Sequence, residues 1–169
     1  MLHYSNQKPT FLSVFEMKAL VLIIALSSIA SGYNDRPAPE LLAKVGQYAY
    51  FYNPNFLLPA TELEAYCTSY GFLPAAIPDA AQNQQIYAAL YSKVEPFSVA
   101  AIGLKFNNET FAWLDGFTKY EYNNARNDTD TDGDQLYGII LHTDGDLGGK
   151  WTPVSAKKIL RYALCEKLS

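Results

Sequence analysis

From Thr61 onward the apolar positions of the chain recur at helical spacing, with Leu63, Tyr66, Cys67 and Tyr70 at i, i+3, i+4 and i+7. Pro59 precedes Thr61 and Glu64 follows three residues later, so the pattern predicts a capping box at Thr61 and a helix that buries Cys67. Gly71 ends it. A second start stands at Asp79, after Pro78 and with Gln82 in the matching third position. Ile86, Leu90 and the intervening alanines supply its apolar stripe as far as Glu95-Pro96.

Outside these helices the period changes. Gln47 to Tyr52 is Tyr-rich and ends at Asn53-Pro54-Asn55, which predicts an edge strand and a turn. Val99 to Leu104 is a short continuous apolar run, and Phe111 to Leu114 ends at the turn dipeptide Asp115-Gly116. Tyr137 to Leu141 and Ile159 to Cys165 read as later strands, separated by a polar, glycine-rich turn at Thr143 to Gly149. Between Tyr122 and Leu136 there is no hydrophobic periodicity, only a long run rich in Asn and Asp, of the kind that serves function or moves. The order is strand, two helices, then strands, which is an α+β domain.

Composition narrows the picture. The 169 residues are 49% hydrophobic, enough for one domain with its own core. A formal net charge of -4 argues against nucleic acid and anionic membranes, which select clustered Lys and Arg.

Met17-Lys18, the apolar run from Ala19 to Ile29 and the small residues Ala30, Ser31 and Gly32 have the layout of a secretory signal peptide, with either Met1 or Met17 as the start. The run is well short of the roughly 20 apolar residues of a membrane span. Residues 1–31 thus read as an extension plus signal peptide, 32–44 as a short polar leader and 45–168 as the domain, secreted and with no stable membrane insertion. The chain has two cysteines. Export favours their one possible pairing, Cys67 with Cys165, with two buried thiols as the other reading.

The landmarks resemble, in order, those of the C-type lectin-like domain, over residues 47–167. Cys67 followed by Gly71-Phe-Leu-Pro-Ala-Ala-Ile77 is similar to the family's C-x-x-x-G-x-x-L-x-x-I region, and Gln82-Asn83 opens the second helix. Ala101-Ile-Gly-Leu104 resembles W-I-G-L with Ala101 in place of Trp, and Phe111-Ala-Trp113-Leu-Asp115-Gly116 resembles F-x-W-x-D-G. Lys150-Trp151 resembles the late tryptophan region, and Ala163-Leu-Cys165-Glu166 the closing motif. The resemblance implies two helices packed on antiparallel sheets with a long loop region. It implies a long-range disulfide between Cys67 and Cys165, core roles for Trp113 and Trp151, and recognition of an extracellular glycan or glycoprotein.

The departures are equally specific. Sugar-binding members carry E-P-N or Q-P-D in the long loop and W-N-D after it, whose oxygens hold calcium and sugar together. Here Trp151 is followed by Thr152-Pro153, and the loop offers Asn123, Asn124, Asn127 and Asp128 as weak ligand-binding candidates. The second family disulfide is absent, with Leu136 or Tyr137 near one position and Lys157 near the other. A protein ligand, met without calcium, is therefore the alternative partner.

Asp128, Asp130, Asp132 and Asp134 alternate around Gly133, a pattern that can wrap calcium in oxygens. It is an incomplete EF-hand, since Ile139 holds the twelfth position and no helix flanks it; a solvated acidic loop is the other reading. Calcium is thus the only cofactor in question. Asn108-Glu-Thr110 and Asn127-Asp-Thr129 are glycosylation sequons. Catalysis has little support: after the signal segment the chain has one histidine, His142, and no nucleophile or phosphate motif, so the domain reads as a binding module and not an enzyme.

Overall fold

The computed structural model describes residues 36–107, 110–126, 135–141 and 147–169. The signal-like segment, the sequons at Asn108 and Asn127, the acidic run Asp128, Asp130, Asp132 and Asp134, and His142 lie outside the described residues.

The order is β1 (Glu40–Val45), β2 (Tyr48–Asn53), β3 (Leu58–Pro59), α1 (Leu63–Ser69), β4 (Leu73–Pro74), α2 (Ala80–Tyr91), β5 (Ser98–Asn107), β6 (Thr110–Trp113), β7 (Gln135–Leu141), β8 (Trp151–Val154), β9 (Ile159–Leu160) and β10 (Tyr162–Leu168). The main sheet runs β1-β2-β10-β5-β7-β8, with β4 on β10 and β6 on β5; β3 and β9 form a separate pair. The α+β expectation holds, with one difference. The sheet is mixed, because β10 meets β5 in parallel at Tyr162–Ala100 and Ala163–Ala101. That short junction joins the half built from the chain ends to the half built from β5 to β8.

Two expected boundaries shift. The domain begins before Val45, since Leu41-Leu42-Ala43 pairs as part of β1 with β2. Residues 36 and 37 are tied down as well. Arg36 donates to the Phe56 carbonyl at 2.6 Å, Tyr70 Oη donates to the Arg36 carbonyl at 2.7 Å, and the buried Asn53 amide donates to the Pro37 carbonyl at 3.1 Å. The span read as a leader is therefore partly domain. In consequence β2 is interior, flanked by β1 and β10, and not the edge strand that the pattern predicts.

The first helix also starts differently. Pro59 at φ -55° leads into a 3-10 turn over Ala60–Glu62, so Thr61 lies inside the turn and no side chain caps α1. Thr61 Oγ1 instead donates to the Ala156 carbonyl at 3.4 Å. The second start is as expected: Asp79 is extended, and its carboxylate accepts from the Gln82 N–H at 2.8 Å.

The core lies between the helices and the sheet, with Tyr50, Ile77, Ile86, Leu90, Ile102, Leu104, Tyr137, Ile139, Trp151 and Leu164 fully buried. Cys67 on α1 and Cys165 on β10 are bonded, Cα to Cα 5.6 Å, across 98 positions of sequence. Gly103 lies where β5 meets β4, and a Cβ there would stand 2.8 Å from Pro74 Cβ. Ala101 partners Gly138 on one side and Ala163 on the other, so small residues let three strands approach where the family has tryptophan.

Candidate functional site

The late tryptophan organises the region that the resemblance singles out. Trp151 opens β8 fully buried, its indole N–H donating to Asn83 Oδ1 at 2.8 Å. Its ring meets Trp113 edge to face at 5.5 Å and Tyr122 at 5.2 Å. Such perpendicular contacts suit the aromatic quadrupole, and they make both tryptophans core, as expected.

The segment 120–126 lies on this tryptophan. Ala125 makes an isolated parallel bridge to Trp151, the Trp151 N–H donates to the Asn124 carbonyl at 3.0 Å, and the Arg126 N–H donates to the Trp151 carbonyl at 3.0 Å. Asn123 Oδ1 accepts from the Ala125 N–H at 2.8 Å in a local Asx turn. Asn124 Nδ2 donates to the Gly149 carbonyl at 2.7 Å, while Asn124 Oδ1 accepts from Lys150 Nζ at 3.0 Å. The structure thus brings Asn123 and Asn124 beside Trp151, with both amides engaged by the chain itself.

Asn83 completes the arrangement from α2, donating to the Gly149 carbonyl at 3.0 Å. Gly149 has φ +75°, a conformation that favours glycine, and a Cβ on Gly148 would strike Tyr87 Oη at 2.3 Å. The turn is thereby pressed against the helix. Asn83 was legible as something more than a helix opener: it stands three residues before Ile86 on the apolar stripe, and a polar side chain there needs partners. Nothing local in the sequence marks Lys150 as the partner of Asn124, because their contact spans 26 positions.

Beside the tryptophans lies an aromatic row. Phe111 stacks on Tyr120 at 4.8 Å and meets Phe106 at 4.8 Å and Tyr137 at 5.4 Å. Burial, with Tyr137 adding, pushes the Tyr120 hydroxyl up to about 12, and its oxygen has no hydrogen-bond partner among the described residues.

Calcium, which the resemblance implies, finds a poor donor set in the described part of this region. Thr152 and Pro153 pair with Gly138 and Tyr137 inside β8 and bring no carboxylate. The Asn124 oxygen already accepts from an ammonium, which would repel a second cation. Among the described residues no three His, Cys, Asp or Glu side chains are grouped to hold a metal. Among the described residues, this donor set does not fit the family's calcium.

No family model and no curated protein sequence matches the chain. Solved structures do. The C-type lectin CEL-I from Cucumaria echinata is 20% identical with a TM-score of 0.64, covering 80% of this chain and 100% of its own. The carbohydrate-recognition domain of the mouse scavenger receptor C-type lectin is 18% identical with a TM-score of 0.60, over 75% of this chain and 92% of that one. A calcium-independent type II antifreeze protein is 15% identical with a TM-score of 0.59, over 80% and 98%. At these identities the likeness is one of fold, and it agrees with the strand order, the helix pair and the bridging disulfide: the chain folds as a C-type lectin-like domain.

Proposed function

We propose that this chain is a secreted recognition domain that binds an extracellular glycan or glycoprotein by direct contact, without calcium as intermediary. The observation that carries the reading is the engagement of Asn124, whose amide nitrogen holds Gly149 and whose oxygen already carries the Lys150 ammonium, a charge that opposes a metal at the same atom. Export is supported by the long-range disulfide, which persists in oxidising compartments, and by the signal-like segment before residue 33. The glycan class is supported by fold neighbours that are themselves carbohydrate-recognition domains.

A protein ligand is the second reading, favoured by exposed apolar side chains on the same domain. Phe97 and Ile159 are 65% and 63% exposed, and such groups suit apolar protein contact better than a polyhydroxylated sugar. Binding of the secreted protein to a glycan array, in calcium and then in chelator, separates the readings. The proposal expects retention on a defined glycan set that the chelator leaves unchanged. Release by the chelator would overturn calcium independence, and no retention on any glycan would move the assignment to the protein ligand.

A further inference from the structure

We infer that Lys150 is a built-in cation that holds the recognition loop in shape, its ammonium joining residues 120–126 to the 147–150 turn without any bound metal. The inference rests on the calcium-independent reading above and extends it to the residue responsible.

Residues 120–126 form no helix or strand, and the Ala125–Trp151 bridge is their one ladder contact among the described residues. Something must offset the entropy lost in fixing them. Asn124 is the centre of what does. Three of its polar groups meet three consecutive residues: Nδ2 donates to the Gly149 carbonyl, Oδ1 accepts from Lys150 Nζ, and the carbonyl accepts from the Trp151 N–H. Only the Lys150 contact in this set carries a formal charge, and charge-assisted bonds are the stronger class. It is also part-buried, where water and salt weaken it less.

The lysine is itself delivered from fixed backbone. The Lys150 N–H donates to the Leu147 carbonyl at 3.1 Å, and its carbonyl accepts from the Ile140 N–H at 2.8 Å, which places it beside β7. On the far side Asn83 holds the Gly149 carbonyl, so the turn cannot follow the loop if the loop moves away. A cation on a side chain therefore does here what a bound ion does elsewhere: it ties oxygen of one segment to the backbone of another.

Native-state hydrogen exchange at the Arg126 and Trp151 amides reads this clamp directly, since each of those N–H groups bonds across the joint. In the wild-type protein both should exchange slowly, and equally so in excess calcium and in chelator. Lys150→Met should speed both by about tenfold or more while the β5 amides stay slow, and Lys150→Arg should restore most of the protection. Should the Met variant not fold, Lys150→Gln keeps a donor without charge and is expected to move exchange the same way. Unchanged exchange in Lys150→Met, or loss with Arg as large as with Met, would overturn the clamp. Calcium-dependent protection in the wild-type protein would instead overturn the calcium-independent reading, so the two failures are told apart in one data set.

Discussion

Replacing Cys67 and Cys165 together by serine is expected to lower the stability of the domain by about 4 kcal/mol and its thermal midpoint by on the order of 10 °C or more. The bridge spans 98 positions, and in the chain-entropy model a closed loop of that length restricts the unfolded chain strongly. Its location adds to the effect. Cys67 lies on the buried face of α1, and Cys165 sits in the centre of β10 between Phe51 on β2 and Pro74 on β4. The second bridge of the family has no counterpart in this chain, so this single cross-link carries the whole covalent constraint. Denaturant unfolding of the oxidised protein and the double serine variant measures the difference. Equal midpoints would mean that packing alone specifies the fold.

Glu166 is expected to make stability fall as pH rises from about 4.5 to about 8. Its side chain is buried next to the bridge, with Oε2 accepting from the Ala76 N–H at 3.0 Å and Oε1 without a hydrogen-bond partner among the described residues. Burial raises its carboxyl from the ordinary 4.5 to about 8, the Ala76 bond opposes this, and the nearby Asp115 charge adds to it. Across that window the unfolded chain has released a proton that the folded chain still holds. Stability is therefore full below about 4.5, declines through the window and levels off above about 8, with a total change on the order of a few kcal/mol. Glu166→Gln removes the ionisation and should flatten the profile, whatever its effect on the absolute level. Denaturant midpoints for both proteins across pH 4 to 9 would show it, and parallel slopes would refute the role of Glu166. Tyr50, whose hydroxyl is also raised by burial with Glu166 next in effect, titrates above this window and does not mimic the signal.

How far the sequence reveals this molecule depends on how local each signal is. Asp79 with Gln82, the Cys67 stripe and the Asp115-Gly116 turn are decided within a few residues, and each is present as read. Thr61 fails because Pro59 preorganises a 3-10 turn one step earlier than the capping pattern places the helix start. β1 is hidden by the prolines at 37 and 39, and β2 looks like an edge because its partner β10 lies over a hundred residues away in sequence. β8 is masked by Pro153, which a ladder tolerates because β8 lies at the end of the main sheet. In the site, the two tryptophans were legible through ordered motifs. The Asn124–Lys150 contact was not, since neither residue carries a local pattern that names the other.

Recognition by this domain is proposed to proceed without calcium, and calorimetric titration of calcium into the secreted protein tests this most directly. No saturable heat is expected, for the wild-type chain and for Asp130→Asn combined with Asp132→Asn alike. Saturable heat in the wild type that disappears in the double variant would contradict it and make the acidic run a metal site.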